Sequence, residues 1–97
     1  MPADQVIDTM MARALHSDAC RTHPIVGWLV MQDLPDYPDR IVARLVTDAP
    51  TPYVLVADTL GELHATLPPG LIRSGRQPAD PPEVVEIWFA QEANQSR

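Results

Sequence analysis

Three residues near the start of the chain have the types and spacing from which metal and thiol chemistry is built: His16, Cys20 and His23 stand four and three positions apart. On a continuous helix that spacing brings all three to one side, where a zinc ion would need only a fourth ligand from elsewhere. Pro24 works against this, because a residue before proline is pushed out of helical geometry and His23 leaves the stripe. Cys20 beside a histidine also has the makings of a thiolate nucleophile, yet no glycine-rich elbow or oxyanion loop accompanies it. The expectation is a free or packed thiol, with no metal, no cofactor and no catalytic residue assigned.

Charged and aromatic residues supply the candidate binding groups. Asp33, Asp36 and Asp39 recur every three positions in a proline-containing turn. They lack the glycine turn and terminal glutamate of a calcium loop, so they read as a solvated acidic turn that offers negative charge to a basic partner. Arg73 and Arg76 sit in a long segment with Asp80 and Glu83. Two guanidinium forks there would clamp a carboxylate or phosphate, or else pair with Asp80, Glu83 or Glu86 and pin the segment down. Trp28, Arg44, Glu86 and Trp88 complete the set, as an exposed-tryptophan hot spot on the uncovered face of a sheet.

The elements that must position these groups follow from periodicity. Val6, Ile7, Met10, Met11, Ala14 and Leu15 recur at helical spacing, which predicts an amphipathic helix over residues 4–20 with Asp4 as its N-cap. Residues 25–31, 40–47, 53–57 and 84–89 are short and rich in β-branched or aromatic side chains, and turn residues bound them, which predicts four strands. Thr59-Leu-Gly-Glu62 has the spacing of a capping box, and Leu60, Leu63, His64 and Leu67 continue it as a short helix that Pro68-Pro69-Gly70 ends. Residues 71–82 show no period and read as an irregular crossing loop, and 91–97 as a disordered tail. The expected fold is α+β: one domain over 1–97, order α-β-β-β-α-β, with a βββαβ core over 25–89. Its four-stranded, mostly antiparallel sheet carries both helices on one face, and the last strand lies parallel beside the first. Ile41, Ala43, Leu45, Val85, Ile87 and Phe89 then face the helices, and Val42, Arg44, Val46, Glu86 and Trp88 face out.

Composition narrows the function classes. Thirteen acidic residues against seven arginines and no lysine give a net charge of −6, the wrong sign for a grip on nucleic acid phosphates. A single cysteine excludes an internal disulfide, and with no charged leader before an apolar core it suits a cytoplasmic protein. The longest apolar run, residues 25–31, is far short of a membrane span. Arginine in place of lysine, with abundant Ala, Pro and Val, suggests a GC-rich bacterial genome.

Two stretches carry family resemblances. An α-β-β-β-α order invites comparison with double-stranded-RNA-binding domains, but their lysine cluster is replaced here by Thr59-Leu60-Gly61-Glu62. Val56-Ala-Asp-Thr-Leu-Gly-Glu-Leu-His64 resembles the strand-to-helix junction of HicB-type antitoxins, whose partial RNase-H-like fold runs β-β-β-α-β. That resemblance implies a small acidic antitoxin that neutralises a basic RNase toxin by direct contact. The operator-binding C-terminal domain of that family has no counterpart here, and the N-terminal helix is extra. Residues 78–89 resemble a family of small uncharacterised bacterial proteins. The expected function is therefore a non-enzymatic binding module for a basic protein, of the antitoxin or phage-inhibitor kind. The alternatives are an anion binder or enzyme using Arg73, Arg76 and His64, and a homodimer built through the first helix or Trp88.

Overall fold

Asp8, and not Asp4, starts the first helix: its carboxylate accepts a hydrogen bond from the Met11 N–H at 2.8 Å. The computed structural model, which describes residues 4–75 and 78–90, has the order β1 (Gln5–Val6), α1 (Thr9–Thr22), β2 (Gly27–Leu34), β3 (Tyr37–Val46), β4 (Pro50–Ala57), α2 (Leu60–Thr66), β5 (Leu71–Gly75) and β6 (Val84–Ala90). The four residues before Asp8 are drawn out along the edge of β4. Gln5 and Val6 pair in parallel with Tyr53 and Val54, and the Ile7 N–H donates to the Val54 carbonyl.

The sheet therefore has six strands in the order β1-β4-β3-β2-β6-β5, and the chain runs β-α-β-β-β-α-β-β. This corrects the expected four-stranded sheet and its α-β-β-β-α-β order. Both added strands are short edge strands: β1 hides inside an apolar stripe that also suits a helix, and β5 inside a proline-flanked segment with little β-branched content. The second addition has a topological consequence. The crossing segment makes one more traverse as β5, so β6 lies beside β2 but antiparallel to it.

The α2 start follows its sequence. Thr59 Oγ1 accepts from the Glu62 N–H at 3.1 Å, while the Glu62 carboxylate accepts from the Asp58 N–H at 3.2 Å, one residue earlier than in the standard capping box. The β2–β3 hairpin is longer than expected and turns at Pro35–Asp36, with Asp33 (φ 58°) and Asp39 (φ 61°) in the left-handed region. Aspartate tolerates that conformation better than most residues, and at Asp33 it coincides with a break in strand register.

Residues paired directly across strands share a face. Trp28 opposite Leu45 and Trp88, Val30 opposite Ala43 and Glu86, and Ala43 opposite Leu55 define the face under the helices. Ala12 and Ala19 of α1, Leu63 of α2 and Leu67 at the C-cap of α2 close over it, around a fully buried Trp28. The other face carries Leu29, Met31, Val42, Arg44, Val54, Val56 and Ile87, and neither helix covers it. Among the described residues no helix is long and apolar enough to cross a membrane.

Gly27 is needed where β2 meets β6. A Cβ there would lie 3.1 Å from the Trp88 carbonyl oxygen and 3.2 Å from the Phe89 ring. The ring can give, but the carbonyl is fixed by the strand pairing. Gly27→Ala is expected to lower the unfolding free energy by about 1–2 kcal/mol, and Thr59→Ala by about 1 kcal/mol through loss of the cap. Urea denaturation of both variants checks the two values.

Candidate functional site

Trp28 is at the bottom of a directional polar chain that runs through α1. Its indole N–H, buried under α1, donates to His16 Nδ1 at 3.1 Å, and His16 Nε2 lies 3.6 Å from Cys20 Sγ. An indole can only donate, so Nδ1 is the acceptor and a neutral His16 carries its proton on Nε2. Burial holds the His16 pKa below its ordinary value and pushes the Cys20 thiol up. His16 therefore presents N–H to the sulfur and has no lone pair to take the thiol proton, which is the opposite of what an activated nucleophile requires. His23 leaves the trio altogether. It caps the end of α1 and pairs with Asp48 at 2.9 Å, and among the described residues no three His, Cys, Asp or Glu side chains are placed to hold a metal.

Glu86 is the buried charged side chain among the described residues, only 3% exposed and on the helix-covered face. Its Oε2 accepts from the Trp88 indole N–H at 2.6 Å and sits 2.5 Å from His64 Nε2, while Arg73 approaches Oε1 at 3.6 Å. His64 also meets the Trp88 ring edge-on at 5.2 Å. Both carboxylate oxygens thus have partners contributed by α2, β5 and β6, and the cluster fastens those three elements together.

Four residues expected to form one exposed patch are therefore separated. Trp28, Glu86 and Trp88 lie under the helices, and Arg44 lies on the opposite face. The expected facing of Ile41, Ala43 and Leu45 toward the helices agrees with the pairing, whereas Ile87 and Phe89 point the other way because Glu86 and Trp88 do not. Arg73 is directed to Glu86, and Arg76 lies outside the described residues.

The Asp4–Arg44 pair organises the second face. Arg44 grips the Asp4 carboxylate with both Nη atoms at 2.9 and 3.1 Å and donates to the Thr51 carbonyl, and Tyr37 Oη–H donates to the same carboxylate at 3.1 Å. The Arg44 guanidinium beside Asp4 holds that carboxyl below its ordinary range. Tyr37 and Arg44 are seven residues apart, about 23 Å in a straight strand, yet they reach one carboxylate. The hairpin must therefore bend over the second face, with the left-handed Asp39 between them. Val42 and Val54 on this face are completely buried. Asp33, Asp36 and Asp39, all exposed and without ion pairs among the described residues, belong to the same hairpin end as Tyr37, whose hydroxyl reaches this face. Val6, Ile72 and Phe89 remain exposed at its margins.

A separate groove of about 440 Å³ runs between α1 and the turn after α2, lined by Arg13, Ser17, Arg21, Pro68 and Pro69 with His16 and Cys20. Arg13, Ser17 and Arg21 escaped notice in the sequence. Their spacing of four and four around His16 and Cys20 was the available signal, because it puts them on the same helical side. Comparison with protein-family models, curated proteins and solved structures finds no match for this chain.

Replacing Glu86 separates charge from shape. Glu86→Leu leaves the Trp88 N–H and His64 without an acceptor and is expected to cost about 2–4 kcal/mol, whereas Glu86→Gln keeps an acceptor oxygen and costs less. Chemical denaturation ranks the two. The His16 pKa is lowered on folding, so below its ordinary value of 6.5 the unfolded chain binds more protons and stability falls as the pH drops. Asp4, also lowered, keeps its contribution until the pH falls below 3.8. Denaturation midpoints between about pH 8 and 5 are expected to decline with acidification, and less steeply in His16→Gln.

Proposed function

We propose that this chain is a protein-binding module rather than an enzyme, and that its partner is a basic protein engaged by the second face of the sheet and the acidic hairpin tip. The observation that carries this reading is that a sheet face bare of helices, with Val6, Ile72 and Phe89 exposed at its margins, ends in a hairpin whose three aspartates have no ion pair among the described residues. Apolar area supplies affinity, and the carboxylates speed encounter and select for positive charge. The ion pair within the face is already satisfied, so docking over it strands no charge. An inhibitor or antitoxin directed at a basic nuclease is the form of this function that the resemblance of residues 56–64 to HicB-type antitoxins supports. A bacterial cytoplasm, where the unpaired Cys20 thiol stays reduced, is the compartment that suits it.

Site-specific photocrosslinking tests it. A photoreactive phenylalanine analogue at Phe89, on the second face, is expected to capture a basic protein in the source cell, whereas the same group at Met10, 80% exposed on α1, does not. Binding of the captured protein to the purified chain should weaken about tenfold when Asp33, Asp36 and Asp39 are all changed to Asn. Capture of a second copy of this chain, or of acidic proteins, or capture from the Met10 position alone would overturn the assignment.

A further inference from the structure

We propose that the groove between α1 and the Pro68–Pro69 turn is a binding site for a small organic oxyanion, a phosphate or carboxylate borne on an apolar body. The site lies on the helix side of the molecule and is independent of the sheet face assigned to a protein partner.

The lining is chemically one-sided. Arg13 and Arg21 stand eight residues apart on α1, about 12 Å along its axis, with Ser17 midway, so two long guanidinium side chains flank a hydroxyl donor. Arg13 has no ion pair among the described residues. Arg21 bonds Asp18 at 3.0 Å, but both side chains are mostly exposed, and such a pair exchanges readily for a ligand oxyanion. His16 also lines the groove, its Nε2–H directed to the Cys20 sulfur because the Trp28 N–H occupies Nδ1, so a ligand oxyanion could take that N–H only in exchange for the weak contact to sulfur. Among the described residues no carboxylate lines the groove, on a chain whose net charge is −6. The opposite wall is Pro68 and Pro69, rigid and without N–H groups, which suits a ring or aliphatic body rather than a second polar end. The volume of about 440 Å³ is that of a small-molecule site. Its exposure to solvent keeps the two guanidinium contacts weak, so millimolar to sub-millimolar affinity follows.

Titration of the isotope-labelled full chain with phenyl phosphate, followed by amide NMR, reads the site directly. Saturable shifts are expected at residues 13–21 and 67–71 and not at β2 or β3. Benzoate should produce the same pattern, which separates a general oxyanion site from a phosphate-selective one, and benzyl alcohol should produce little. Arg13→Gln and Arg21→Gln, both at exposed positions, should each weaken binding about threefold or more, and the double variant should abolish it. A dispersed spectrum of each free variant establishes that it is folded. Absence of saturable shifts up to about 10 mM, equal shifts from benzyl alcohol, or undiminished binding by the double variant would overturn the proposal.

Discussion

Two tryptophans paired across neighbouring strands, Trp28 on β2 and Trp88 on β6, set the requirement around which both helices are placed. An indole buried for its large apolar surface takes an N–H with it, and that N–H must find an acceptor or forfeit much of what the burial contributes. Trp28 finds His16 of α1, and Trp88 finds Glu86, whose remaining capacity is taken up by His64 of α2 and Arg73 of β5. Each helix is thus docked by apolar contacts that are indifferent to register and by one polar contact that is not. The small size of Ala12 and Ala19 lets α1 come close enough for its contact to form. Specificity of packing in so short a chain rests on these directional bonds more than on core volume.

The same requirement decides what His16 can do. Fixed by an obligatory donor on one nitrogen, the ring shows N–H to Cys20 and is neutral at physiological pH. A residue that looks like half of a thiol–imidazole pair in the sequence is therefore converted by its neighbour into a donor. Catalysis and metal binding at that position would both need the lone pair that the structure has placed facing Trp28. Donor character, by contrast, is what recognition of an oxyanion uses.

Legibility in the sequence followed the length and strength of local signals. The Thr59 cap, the β2–β3–β4 succession and the last strand were readable because each packs several consistent residues into a short window. The two edge strands were not. Gln5–Val6 is held in place by Asp4 gripping Arg44, forty residues away, and β5 by pairing with β6. Neither partner is visible in a local window. The face assignment of β6 failed for a related reason. Alternation tells which residues of a strand go together but not which set is buried, and Glu86 and Trp88 read as outward because a glutamate is seldom buried without partners. Here the partners come from α2 and β5, so the exception could be recognised only once those elements were in place.

Charge, finally, is organised by what is already paired. Arg21, Arg40, Arg44 and Arg73 are engaged with Asp18, Asp58, Asp4 and Glu86, whereas Arg13 and the three hairpin aspartates have no ion-pair partner among the described residues. A pair that is half-buried and hydrogen-bonded, as at Asp4–Arg44, must be broken before either charge can serve a ligand, and breaking it leaves a desolvated ion behind. In both proposed readings recognition falls to groups with no ion pair among the described residues. The hairpin carboxylates would serve as the rim of the apolar face, and the Arg13 guanidinium as the anchor of the groove. With the sheet between these regions, occupation of one need not displace the other.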